Sequence, residues 1–389
     1  MPSQKQYDFM FARNPIIIRG AFPAGAFEAN GGRIGVEIGG EHVFSGTFAI
    51  PLKINISEVI DSIVTGYREV TPDGINPILE VMGPAELDEW EVRVVSEYDG
   101  YQLEEFFTAL PGGVSKQNYR RYISGGTDAI TGRFLNPAGN FFLTTRTAGW
   151  RLLMRETELY PLYFLATETG TIKAVELMTD KSMMFDLADA GVYALDVDTL
   201  RLRFMEQYDI IPSVFDIFRD GIFSCRLVIC RADDAPERYR LKFRNSLGVY
   251  EIIDIPGALS VVNSFEDADD SRFKRYDSVT DELTTDRGRI ACGRTLELET
   301  GFMRPDEIAF MLDMVASESV YLLDMSPLPL KVIPSVDDTE RKHRPTEPQK
   351  FKLKFEIVDD ETQIMPDIVT ADDSHKPRVF SRQFSKQFN

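Results

Sequence analysis

Residues 31–38 read GGRIGVEI: a glycine pair, then Ile34, Val36 and Ile38 at alternate positions. That period puts one face of a strand in a core and the other in solvent. Working outward, related apolar runs occur at Asn14–Arg19 (NPIIIR), Glu91–Val95 (EVRVV), Lys173–Leu177 (KAVEL) and Arg240–Phe243 (RLKF). Gly, Pro, Asn and Asp separate them, as turns between strands require. Short strands at such spacing predict a mainly β chain built from sandwiches or barrels, not a parallel α/β sheet.

The opening octet has an echo in GTIKAVEL at 170–177. LKINISEVI at 52–60 is echoed by YALDVDTLR at 193–201, and EVRVVS at 91–96 by SCRLVI at 224–229. TALPGG at 108–113 loosely matches IDIPGA at 253–258. The order is kept and the separation stays at roughly 133 to 145 residues. Two related β-sandwich modules in tandem would produce this. So would unrelated sandwiches that share only alternation and turn chemistry. The Gly/Pro/Asn-rich stretch Gly125–Asn140 is the expected boundary, and Pro256-Gly257 the expected close of the second module. The acidic segment Glu266–Ser271 reads as a loop.

The remainder has a different grammar. Pro305 suits a first helical turn, and Asp306 and Glu307 favour the positive helix end. Ile308, Met311, Leu312 and Val315 then share a face, which predicts a helix over 305–316. Strands are expected at 320–323, 330–333 and 351–357. In the last, Phe351, Leu353, Phe355 and Ile357 face a core and the lysines face out. The expected organisation is an N-terminal β-sandwich over 1–135 and a second sandwich over 136–260. A small C-terminal α+β domain over 261–369, a helix on an antiparallel sheet, follows, then a C-terminal arm over 370–389. That arm carries Phe380, Phe384 and Phe388 among Lys376, Arg378, Arg382 and Lys386. Taken alone it is a frayed tail, and against an acidic neighbour it is a clasp.

At 389 residues the chain exceeds one hydrophobic core, and 43% hydrophobic residues supply the packing for several. No stretch approaches the roughly 20 apolar residues of a membrane helix, and Met1–Met10 lacks a leader pattern. No membrane role is expected. The formal net charge of -19 repels phosphate backbones, which disfavours direct nucleic-acid binding. It also means that any interface between copies must hide or pair many carboxylates. Cys225, Cys230 and Cys292 form neither a disulfide framework nor a CxxC zinc site.

Chemistry leaves no constellation. His42 falls in an expected hairpin turn, His343 and His375 in polar loops, and no HxH, HxxxH or HExxH spacing links them. GxSxG, GxxxxGK[ST] and GxGxxG are absent. Glu104-Glu105 and Asp359–Glu361 read as solvated faces. Glu266–Asp270 gathers hard oxygens without the spacing of a calcium loop. Trp90 and Trp150 read as core residues, although exposed aromatics would suit a carbohydrate-binding or adhesin sandwich. The expectation is a non-enzyme with no catalytic, cofactor-binding or metal-binding residues and no cofactor.

Four stretches carry a resemblance: FARNPIIIRG (11–20) with FSGTFAIPLKINISEVID (44–61), YRLKFRNSLGVYEIIDIPG (239–257), LELETGFMRPDEIAFMLDMVASESVYLLD (296–324), and PLKVIPSVDD (329–338) with FKLKFEIVDD (351–360). In these the chain resembles tail-associated structural proteins of phages and prophages of Bacteroidota, crAss-like phages included. The resemblance implies a virion protein of a tail, baseplate or portal-proximal ring, made in the host cytoplasm. It implies a homo-oligomeric ring docked to other tail or portal-proximal proteins, and no catalytic residues.

Overall fold

A computed structural model describes residues 8–19, 32–48, 53–71, 73–98, 100–115, 142–146, 151–154, 161–231, 238–267, 272–287, 290–303, 305–323, 325, 328–336 and 350–358. The chain is mainly β, as its alternation predicts. Its contacts delimit two compact units. The first comprises Met1–Asp233, Lys242–Ile253 and Arg304–Val320; the second comprises Asp234–Leu241, Asp254–Met303 and Tyr321–Asn389.

The first unit contains one strand arrangement twice. Its first occurrence runs β1 (Phe9–Phe11), β2 (Ile17–Ile18), β3 (Gly32–Ile38), β4 (Glu41–Phe48), β5 (Ile54–Asn55) and α1 (Ser57–Asp61). It continues through β6 (Ile78–Met82), α2 (Pro84–Asp88), β7 (Glu91–Tyr98) and β8 (Tyr101–Leu110). Its second runs β9 (Arg151–Met154), β10 (Pro161–Ala166), β11 (Gly170–Glu176), β12 (Ser182–Leu187) and β13 (Gly191–Asp196). α3 (Val197–Tyr208), β14 (Val214–Arg219) and β15 (Ile222–Arg231) complete it.

The first five-stranded sheet has the order β1-β8-β7-β3-β4, and the second has β12-β11-β14-β15-β9. Read from the same end, these are one topology. A hairpin (β3–β4, β11–β12) is followed by a second hairpin (β7–β8, β14–β15) whose first strand joins it antiparallel. The opening strand then returns parallel to the last one, β1 on β8 and β9 on β15. A smaller pair covers each sheet, β2–β5 in one module and β10–β13 in the other. A helix follows immediately in each case.

Each core is the space between those layers. In the first module Ile34, Val36, Val92, Val94 and Phe107 meet Ile18, Ile56 and Ile60. In the second, Ile172, Ala174, Phe215, Ile217 and Leu227 meet Phe164, Leu195, Leu200 and Phe204. Asp196 starts α3 by accepting from the Thr199 amide at 3.0 Å and the Thr199 hydroxyl at 2.6 Å. Asp209, in the left-handed conformation, ends it. Sequence alternation placed no helix there.

Three expectations need correction. The segments 91–96 and 224–229 are not counterparts: the first lies on β7, whose partner by topology is β14, and the second lies on β15. The match of 108–113 with 253–258 fails likewise, since the first closes β8 and the second ends a strand outside both modules. The expected boundary at 135 is also crossed by a sheet. β6 pairs antiparallel with β13 and completes a three-stranded layer, β10-β13-β6. Alternation reports which face of a strand is buried, not which strand it pairs with.

That shared layer has two apolar faces. Every residue of β13 is buried. Tyr193 and Leu195 point into the second module's core, and Val192 and Ala194 into a further cluster with Phe9, Phe11, Leu110, Val81 and Leu87. Trp90 lies at the margin of this cluster, its ring 5.3 Å from that of Tyr67.

The chain continues through β16 (Arg238–Arg244), β17 (Tyr250–Pro256), β18 (Leu259–Asp267), β19 (Arg272–Asp277), β20 (Glu282–Arg287) and β21 (Ile290–Glu299). It ends its described course with α4 (Pro305–Val315), β22 (Val320–Leu322), β23 (Leu330–Val336) and β24 (Lys352–Ile357). The expected helix and the three expected strands are present, and Ile308, Met311, Phe351, Leu353 and Phe355 are buried. The contacts nevertheless group α4 with the first unit and β23 and β24 with the second, so the expected 261–369 division is drawn differently. In the second unit β18, β21, β24 and β23 form a continuous antiparallel ladder. Leu296, Leu298, Val332, Leu353 and Phe355 are its buried residues. The expected arm 370–389 lies outside the described residues, as do Trp150, His343 and His375.

Candidate interaction surfaces

Three surfaces follow from this topology. The first is a pair of equivalent strand edges. Among the described residues β4 pairs only with β3, and β12 only with β11. A strand paired on one side presents a row of backbone donors and acceptors to its surroundings. Met184 is exposed on β12, and Met178 in the turn before it. His42 stands on β4 just after the Gly39-Gly40 turn, its Nε2 2.6 Å from the Ser45 hydroxyl.

The second surface is the tip of the second hairpin in each module. Gly100 and Gly221 both take positive φ there, +79° and +77°. Each follows an aspartate and precedes the first residue of the final strand. An Asp-Gly pair suits the turn that matches strand twist. That first residue is apolar and exposed in both modules: Tyr101 at 54% and Ile222 at 47%. Beside Ile222, Phe223 packs edge-on against Phe218 at 5.6 Å; further along β8, Arg93 covers the exposed Phe106 at 6.0 Å. Arg93 also bridges Glu37 and Glu104 at 3.0 and 2.8 Å, so Glu104 belongs to an ionic surface network. The sequence comparison missed this correspondence, although the two Asp-Gly pairs at 99–100 and 220–221 carried it.

The third surface lies on the second unit. β18 and β21 pair from Leu259↔Leu298 to Asp267↔Ile290. The β19–β20 hairpin nests inside them, from Arg272↔Arg287 to Asp277↔Glu282. Nearly every described side chain of this inner hairpin is exposed.

One polar cluster is buried in the first unit. The Glu251 carboxylate accepts from the Thr144 hydroxyl at 2.5 Å and the Asn245 amide at 2.7 Å, and lies 3.5 Å from Arg146 Nε. Arg146 donates to the Ile252 carbonyl and stacks on Phe310 at 4.0 Å. Asp313 accepts from Thr145 and from Ser246. Burial pushes the Glu251 carboxyl above its ordinary range, outweighing the opposing pull of Arg146 and the two hydrogen bonds. These groups tie 142–146, the Asn245–Gly248 turn and α4 together. Gly248 lets that turn close: a Cβ there would stand 2.5 Å from Pro111 Cβ. The cluster is a packing device, with its carboxylates already engaged.

Burial pushes the free Cys225 thiol up to about 12, so it is inert in the folded chain. Among the described residues no three His, Cys, Asp or Glu side chains are placed to share a metal ion. No described helix is long and apolar enough to cross a membrane. No protein-family model matches the chain, and no curated protein matches it.

Proposed function

We propose that this chain is a structural virion subunit, of a phage tail, baseplate or portal-proximal ring, that works by assembling with copies of itself and with neighbouring tail proteins. One observation carries the proposal: a single module occurs twice in the chain, and each occurrence presents an edge strand that pairs on one side only among the described residues, and an exposed apolar residue at the same hairpin tip. Repeated edges and repeated apolar points are what lateral contacts between like modules use. The buried polar cluster is a rigidifying element under this reading, not a reaction centre. The four resembling stretches supply the virion setting.

Electron microscopy of the purified chain at micromolar concentration tests the assembly, and proteomics of purified particles tests the setting. Closed rings or ring stacks, and peptides of this chain in the particles, are expected. Isolated single molecules together with absence from every particle would overturn the proposal.

A further inference from the structure

β18 is the outermost strand of the second unit's antiparallel ladder, and among the described residues it pairs only with β21. It is nine residues long and pairs without a bulge from Leu259↔Leu298 to Asp267↔Ile290. Leu259–Phe265 (LSVVNSF) includes no charge and no proline. Folded monomers protect long edges with charges, prolines or bulges. β18 uses none of these over that run. An apolar side chain is open on each of its faces: Val261 is 47% exposed and Val262, on the other face, 45%. Val261 stands opposite Leu296, which is fully buried. The apolar layer of the ladder thus continues onto the edge strand and ends there half-exposed.

The register fixes which backbone groups point outward. The Glu299 amide donates to the Ala258 carbonyl at 3.1 Å, so these two residues form a hydrogen-bonded pair at the end of the β18–β21 ladder. In an antiparallel ladder such pairs recur at every second residue. Ser260, Val262 and Ser264 therefore turn their amides and carbonyls to β21, and Leu259, Val261, Asn263 and Phe265 turn theirs away from it. The run is also self-complementary about Val262. Laid antiparallel on itself, it sets Leu259 opposite Phe265, Ser260 opposite Ser264 and Val261 opposite Asn263, with Val262 opposite its own copy. The outward groups all belong to odd-numbered residues, and this register joins odd to odd, for about eight hydrogen bonds. Charge agrees with it. A contact between copies of net charge -19 must keep carboxylates apart, and the run carries none. Glu266 and Asp267, which follow it, fall opposite Ala258 and Gly257 and not opposite each other.

We infer that β18 is a self-pairing edge: it adds antiparallel to β18 of a second copy of this chain, about a two-fold axis at Val262, and joins two ladders into one sheet. The inference rests on the self-assembly reading and names one of its contacts. Main-chain hydrogen bonds supply the affinity, and the second strand covers Val261 and Val262. The contact is isologous, so it joins copies two at a time, and a closed assembly that uses it holds an even number of chains. A strand from a different protein would pair with the same edge, but nothing in such a pairing calls for a run that complements itself.

The test uses the full chain. Val262→Cys should give a disulfide-linked dimer under mild oxidation, because opposite residues of a non-hydrogen-bonded pair stand about 4.5 Å apart at Cα, within disulfide reach. Val261→Cys sets its two thiols on diagonal neighbours, about 7–8 Å apart, and should give on the order of tenfold less. Peptide mapping should place the bond between the two substituted positions and not at Cys225, Cys230 or Cys292. Val261→Pro removes only an outward amide and leaves the β18–β21 ladder whole, so it should raise the dissociation constant for self-association on the order of tenfold or more. Val261→Lys, a charge on the half-exposed edge, should act in the same direction without touching the backbone. Equal cross-linking at both cysteine positions, or association unchanged by Val261→Pro and by Val261→Lys, would overturn the self-pairing edge while leaving self-assembly standing. A wild-type chain that never associates would overturn both. A Val262→Cys chain that cross-links in purified particles only to a different protein would assign the edge to a foreign strand instead.

Discussion

The two modules of the first unit share a strand order but not a build. In the first module the layer opposite the main sheet is slight: two-residue β2 and β5, and the five-residue α1. In the second, β10 and β13 have six residues each and α3 has twelve. The difference lies in who covers what. The second module's small layer is buried on both faces, because its far side meets Phe9, Phe11 and Leu110 of the first module and its edge receives β6. A layer with two apolar faces supports long strands, whereas a layer with one needs only enough side chains to close a core. The pair is thus a duplication in topology and a dependency in packing.

That dependency can be broken at several points. The largest expected effect is at Phe204, fully buried on α3: Phe204→Ala should cost about 3–5 kcal/mol in urea unfolding. Its counterpart on the shorter helix, Ile60→Ala, is expected to cost about 2–5 kcal/mol. A surface-like value at Ile60 would mean that α1 is not a core element and that the modules are not equivalent. Next is Ile78, which β6 contributes to the second module's core. Ile78→Ala is expected to cost about 2–4 kcal/mol and to leave a single unfolding transition for both modules. Two separated transitions would show that the layer does not couple them.

Smaller effects sharpen the contrast. α3 has a side-chain cap and α1 has none, its N-cap being Ile56. Asp196→Ala should therefore remove about 1 kcal/mol. The smallest effect concerns pH. The folded chain holds the Glu251 carboxyl above its ordinary value of 4.5, so it favours the protonated form more than the unfolded chain does. Its contribution is present below pH 4.5 and is lost as pH rises through the raised folded value. Urea midpoints measured across that window should fall for the wild type and be flatter for Glu251→Gln. Identical slopes would mean that the carboxyl is not perturbed.

Much of this was legible in the sequence, and the failures are instructive. Strict alternation at Ile34, Val36 and Ile38 located β3, and its echo at 170–177 located the true counterpart, β11. Both belong to hairpins with one buried face, where period-two patterning is cleanest. The echo of 52–60 with 193–201 also holds, as β5 with α1 and β13 with α3. It hid the longer helix, whose Val197, Leu200 and Phe204 follow a six-residue strand buried on both faces. The third echo slipped by one strand and the fourth by two, because apolar runs alone do not specify register. The Asp-Gly turns would have placed them. The inner hairpin left no apolar-periodic signal, since nearly all of its described side chains are exposed.

The central claim is that the chain acts as an assembled subunit, and native mass spectrometry of the purified 44.1 kDa chain across a concentration series measures it directly. The account predicts one dominant closed species at an integral multiple of that mass. A monomer at every concentration, or an open ladder of masses with no preferred multiple, would contradict it.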